Sequence, residues 1–167
     1  MFTIADMKQS HLDAVYEIET HSFPIPWSKS ALRKDLTENQ HAAYKVAISK
    51  SGDVAGYAGL WHVVNEGQIT NIAVAAPFRR MGVASLLLEA LTELALEKNM
   101  MGLTLEVRIS NTAAQKLYAK HGFAPEGIRK RYYAGTGLSG TGPSGGGGGD
   151  TREDAVIMWK YFSEDVI

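Results

Sequence analysis

Between Ala42 and Ala75 the chain runs through three strand-like stretches, AAYKVAIS, DVAGYAGLWHVV and GQITNIAVA. Only turn signals at Ser51-Gly52-Asp53 and Asn65-Glu66-Gly67 separate them. Strands joined by so few residues run antiparallel, because a parallel return needs a crossover of about a dozen residues or more. A long helix follows in GVASLLLEALTELALEKNM, where Leu87, Leu91 and Leu94 recur on one face and Leu88 and Ala95 widen it. Ahead of the meander, FTIADM reads as a first strand. Ser10, with Asp13 three residues on, reads as a capping box for a helix with Leu12, Val15 and Tyr16 on its apolar face. Pro24 and Pro26 stop that helix, and Ser28 caps a shorter one, SKSALRKDLTE.

After the long helix, LTLEVR alternates. Leu103, Leu105 and Val107 face one side, and Thr104, Glu106 and Arg108 face the other. Asn111 caps TAAQKLYAKH, Gly122 ends it, and FAPEGIRKRYYA and REDAVIMWKYF are the last strands. The order β-α-α-β-β-β-α-β-α-β-β lacks the regular alternation of a dinucleotide-binding fold. It predicts an α+β chain: a mixed, mostly antiparallel central sheet with about four helices on its two faces.

A chain of 167 residues, 45% apolar and 21% charged, fits one globular domain spanning 1–167. Its net charge of −1 provides no broad field for nucleic acid. Short basic clusters include Arg79-Arg80 and Arg129-Lys130-Arg131. The absence of cysteine excludes disulfides, thiolate metal sites and a cysteine nucleophile together, and no metal is expected. The N-terminus lacks a basic-then-apolar signal, and no apolar run is long enough to span a bilayer, so a cytoplasmic location is expected.

Two stretches compete as a phosphate cradle. GTGLSGTGPSGGGGG contains G-x-G-x-x-G twice, at Gly135, Gly137, Gly140 and again at Gly140, Gly142, Gly145. That fingerprint requires a helix after it, and DTREDAVIMWKYF alternates like a strand. Nine of the chain's 17 glycines fall here, which is the composition of a flexible hairpin loop at about 135–150. RRMGVA is better placed, between the strand ITNIAV and the long helix. There, unpaired N–H groups and the helix dipole suit an anion. On these residues alone RRMGVA fits an anion cradle and an ordinary strand-to-helix turn equally well.

VAAPFRRMGVA (74–84) carries Arg79-x-x-Gly82-x-Ala84, which resembles the acetyl-CoA motif of the GNAT N-acetyltransferases. FPIPWS, TNIAV, LEVRISNTAAQKLYAKHGF, GIRKRYY and EDAVIMW extend the likeness, in order, to the RimI-type ribosomal-protein alanine N-acetyltransferases. The likeness covers the chain except about 135–150. Ala84 stands where many relatives carry glycine, and the hairpin insertion is the largest departure.

The resemblance implies the GNAT fold and transfer of acetyl from acetyl-CoA to the N-terminal amine of a protein, an alanine of a ribosomal protein in the RimI type; the alternatives are a lysine or small-amine acetyltransferase of the same fold, or a non-catalytic acyl-CoA-binding module. It makes Glu106 the base and Tyr118 the acid; by residue type alone Glu106 reads as a solvent-facing glutamate and Tyr118 as core packing. It implies a coenzyme site of Ile72, Ala73 and Val74 through their backbone, with Arg79, Arg80, Met81, Gly82, Val83, Ala84, Ser85 and Asn111. Strand core and an N-cap are the plain alternatives for Ile72–Val74 and Asn111. Phe23, Trp27, Tyr132 and Tyr133 are expected to line the acceptor groove, or simply to pack. Without cysteine, direct attack of the amine in a ternary complex is favoured.

Overall fold

The computed structural model describes residues 1–133 and 152–163; the glycine run at about 135–150 lies outside the described residues. β1 (Phe2–Asp6) leads through a 3₁₀ turn at Gln9–His11 into α1 (Leu12–Ser22) and α2 (Lys29–Glu38). β2 (Ala42–Ser49), β3 (Val54–Val63) and β4 (Glu66–Val74) form the expected antiparallel meander. Then come α3 (Val83–Glu97), β5 (Gly102–Arg108), α4 (Thr112–Lys120), β6 (Ala124–Tyr133) and β7 (Glu153–Tyr161). Among the described residues the strands form one seven-stranded sheet in the order β1-β2-β3-β4-β5-β7-β6, and only β4 and β5 are parallel neighbours.

Apolar burial explains why the helices cover both faces. On one face α3 inserts Leu87, Leu88, Leu91 and Ala95 against Ala58, Leu60, Leu103, Leu105 and Val107. On the other, Leu12, Val15 and Ile18 of α1 and Leu32 of α2 meet Tyr44, Val46 and Tyr57. A large aliphatic side chain gains about 1.5–3 kcal/mol on full burial, so neither face of the central strands is left to water. The caps read from sequence form: Ser28 Oγ accepts from Ala31 N at 3.1 Å, and Asn111 Oδ1 accepts from Ala114 N at 3.1 Å.

Two local expectations are corrected. Ser10 is not a cap: the chain turns one step earlier, where His11 Nδ1 accepts from Lys8 N at 3.0 Å, and α1 starts at Leu12. Asp13, the supposed box partner, is ion-paired with Lys29 at the start of α2. The β3–β4 turn sits at Val64-Asn65, with Val64 at φ 58°, so Glu66 and Gly67 already belong to β4.

Candidate active site

β4 and β5 pair over three residues only, Glu66–Gln68 against Gly102–Thr104, and then part. A register shift between Gly59 and Leu60 of β3, opposite Asn71 and Ile69, leaves Thr70 as an extra residue in β4. Such a bulge bends its strand away from straight pairing. Beyond it the edge of β4 faces the gap. Ala75 N–H donates to Ala55 O of β3 at 2.8 Å. By strand alternation, the backbone groups of Val74 and Ile72 therefore point the other way, into the gap. The side chains of Ile72 and Val74 pack in the α3 core, while Ala73 packs under α1.

At the upper end of β4, a 3₁₀ turn at Ala76–Phe78 delivers the chain to α3. Arg80 and Gly82 both have left-handed backbone, at φ 62° and φ 80°. Gly82 is the N-cap of α3, no side chain caps the first turn, and a Cβ on Gly82 would meet nothing within 4 Å. This leaves the first amides of α3, from Val83, Ala84 and Ser85, as an open donor set next to two arginines. An anionic diphosphate suits that donor set. Arg79 folds back, its Nε donating to Val74 O at 3.3 Å, and Arg80 and Met81 are exposed. Ser85 Oγ lies 2.9 Å from His121 Nε2 at the end of α4, and burial pushes the His121 imidazole below its usual pKa.

The two faces of β5 carry different side chains. Glu106 lies on the α1–α2 side of β5, opposite to Leu105 and Val107. Its Oε1 is 3.2 Å from Arg129 Nε of β6. The Glu106 carboxylate beside the Tyr132 phenol is the main reason its pKa is raised. Tyr133 donates its hydroxyl to the Glu106 backbone carbonyl at 2.9 Å and lies under Arg108, 4.5 Å from its ring centroid. Burial, then Glu106, push the Tyr133 phenol up to about 12. Tyr118 comes from α4 on the other face. It is 7% exposed and packs edge-on against Phe123 at 6.0 Å. Burial, with Tyr133 nearby, raises its phenol well above the usual range.

The structure thus gathers Glu106, Tyr132 and Tyr133 on one face of the sheet, with Tyr118 on the other. Phe23 and Trp27 belong to the α1–α2 core, where Trp27 lies 6.0 Å from Trp61 in a cavity of about 390 Å³ lined by both tryptophans and Asp35. Sequence reasoning missed two residues. Arg129 was visible only as part of a basic cluster. Glu19 of α1 is 1% exposed and accepts from Trp27 N at 3.0 Å, from the Tyr57 hydroxyl and from Asn71 Nδ2. It pins the loop 23–28 to β3 and β4, and burial raises its pKa. Asp35 does the same for α2, taking Trp61 Nε1 at 2.8 Å and the Tyr44 hydroxyl. Among the described residues no helix is long and apolar enough to cross a membrane.

The sheet parts beside a bulge, a glycine turn lies open at the start of α3, and Glu106 and Tyr118 lie on opposite faces of the sheet. The chain matches the acetyltransferase (GNAT) family over residues 12–123 and belongs to that family. It is 42% identical over 161 residues, 96% of each chain, to a Bacillus subtilis protein named, provisionally, a [ribosomal protein bS18]-alanine N-acetyltransferase. It superposes with a TM-score of 0.81 on the crystal structure of the ribosomal-protein-S18-alanine N-acetyltransferase from Escherichia coli. That match has 30% identity and covers 100% of this chain and 99% of the other. Arabidopsis thaliana NAA60 in complex with acetyl-CoA shares the fold, with a TM-score of 0.78 at 13% identity over 96% and 98% of the two chains.

Proposed function

We propose that this chain acetylates the N-terminal α-amine of a ribosomal protein, an alanine, using acetyl-CoA as donor. The observation that carries the reading is the gap between β4 and β5, with Glu106 on one face of β5 and Tyr118 on the other. The names of the near full-length relatives support the acceptor.

Acetyl-CoA supplies an acetyl group activated as a thioester. Val83, Ala84 and Ser85 N–H, with Arg79 and Arg80, hold its diphosphate, and the open side of Gly82 admits it. Ile72 and Val74 pair with its amide arm as a neighbouring strand would, and Val74 N–H donates to the carbonyl that gains charge. Asn111 adds a contact through the amide nitrogen that its cap leaves free. Glu106 takes the proton of the attacking amine, directly or through one water. Tyr118, held protonated by burial, donates to the departing sulfur. Tyr132 and Tyr133 frame the acceptor beside Glu106, and the loop with Phe23 and Trp27 forms the opposite wall.

A peptide α-amine has a pKa near ~8 and a lysine amine near ~10.4, so at pH 7 the neutral α-amine is more available by a factor of about 250. A carboxylate of ordinary strength therefore suffices for N-terminal transfer. The test is incubation with acetyl-CoA and an alanine-starting peptide containing one lysine, beside the same peptide with a blocked N-terminus. Mass spectrometry should find acetyl on the free N-terminus alone. Equal labelling of both peptides would refute the reading. Glu106→Gln should lower kcat by about 10²–10⁴-fold.

A further inference from the structure

Arg129 sits in an unusual place for a surface arginine. Glu106 of β5 and Arg129 of β6 are not on adjacent strands, because β7 runs between them. Glu106 is opposite Ile157 and Arg129 is opposite Ala155, so both side chains rise on the same face and meet over β7. Ala155, fully buried and only a methyl tall, leaves the room for that crossing. On the other flank the register of β6 slips between Arg129 and Tyr133. Arg131 takes left-handed backbone there, its N–H held by Asp154 Oδ1 at 2.8 Å. The slip returns Tyr132 to the same spot, with the Arg129 guanidinium 5.2 Å from its ring centroid. A left-handed non-glycine residue costs roughly 1–2 kcal/mol, so this arrangement is maintained against a local cost.

The pair is made through Arg129 Nε, 3.2 Å from Glu106 Oε1, and Arg129 is 55% exposed on its side chain. A guanidinium has five N–H donors in one plane, so a pair made through Nε leaves the donors of the two terminal nitrogens for another acceptor. We propose that Arg129 reads the carbonyl next to the acceptor amine and so distinguishes an N-terminal α-amine from a side-chain amine. This rests on Glu106 being the base of the proposed reaction. In a peptide N-terminus the carbonyl oxygen lies about 3 Å from the amine nitrogen, three bonds away through Cα and the carbonyl carbon. An amine delivered to Glu106 brings that oxygen within reach of the neighbouring guanidinium. A lysine ε-amine has four methylenes before its Cα and offers no acceptor at that distance.

The test compares alaninamide with 2-aminopropane, the same amine without the carbonyl, as acceptors for wild type, Arg129→Gln and Arg129→Lys. The different basicity of the two amines acts alike in every variant and cancels when ratios are compared. The ratio of kcat/KM for alaninamide over 2-aminopropane should fall about ten- to hundred-fold in Arg129→Gln, the loss of one hydrogen bond to a charged group. It should stay low in Arg129→Lys, which restores charge without the planar fork. An unchanged ratio, with both acceptors slowed alike, would mean that Arg129 only holds Glu106 in place and would overturn the proposal. Full recovery by lysine would overturn it too. A wild-type protein that acetylates neither acceptor would instead remove the reading beneath it. Arg129 is on the surface of β6, and matching melting temperatures will show that the variants fold.

Discussion

Gly82→Ala separates a backbone cost from a ligand cost. Gly82 has φ 80° and ψ 10°, and a Cβ there would touch nothing within 4 Å. The folded protein therefore loses only the left-handed penalty, about 1–2 kcal/mol. For a chain of this length that lowers Tm by roughly 2–8 °C. Gly52, in the β2–β3 turn, is a matched control: φ is 93° and its Cβ also meets open space. Gly52→Ala should cost the same Tm. The two differ if the space beside Gly82 belongs to the coenzyme diphosphate. A methyl group there pushes the anion off the α3 amides, and losing one charge-assisted hydrogen bond weakens Kd about ten- to hundred-fold. Calorimetric titration of acetyl-CoA into wild type and both variants, beside thermal melts of each, measures both quantities. If Gly82→Ala binds within twofold of Gly52→Ala, the diphosphate is not at the start of α3. If it melts far below Gly52→Ala, the backbone reasoning itself is wrong.

Other expectations follow from burial and close packing. Glu19 has its pKa raised by burial above the ordinary 4.5. A carboxyl raised on folding binds more protons folded than unfolded, so its contribution is complete below 4.5 and is lost as pH rises through the folded value. Melts from pH 4 to 8 should show wild type losing stability relative to Glu19→Gln across that rise; a constant difference would refute it. At Gly102 a Cβ would lie 2.5 Å from the Lys160 backbone oxygen, which no rotamer change relieves. Gly102→Ala should destabilise by about 1–3 kcal/mol in chemical denaturation, and an unchanged midpoint would show that β7 shifts freely. Tyr118→Phe should lower kcat with little change in acetyl-CoA Kd, measured by steady-state kinetics and titration.

Where short-range chemistry decides, the sequence was readable. The limits of β2 follow from AAYKVAIS, the alternation of LTLEVR sorts Glu106 from Leu105 and Val107, and Ser28 and Asn111 cap the helices they precede. The Ser10–Asp13 box failed because its two residues had stronger local rivals, His11 for the turn and Lys29 for the acid. The rest needed distant partners. The burial of Glu19 depends on Trp27, Tyr57 and Asn71, which are 8, 38 and 52 residues away. Nothing in ITNIAV announces the extra residue at Thr70, since a bulge exists only relative to the register of β3. The meeting of Glu106 with Arg129 depends on a third strand, supplied last in the chain, having alanine at one position.

The short seam between β4 and β5 divides the sheet into two blocks, each contiguous in the chain: β1–β4 before α3, and β5–β7 after it. Under the proposed placement, a coenzyme along the free edge of β4 would stand in for the missing strand length and tie the two blocks together. Any ligand that binds only the folded chain adds about 2.7 kcal/mol of stability at a hundredfold excess over its Kd. If acetyl-CoA is that ligand, adding it should raise the melting temperature of the protein.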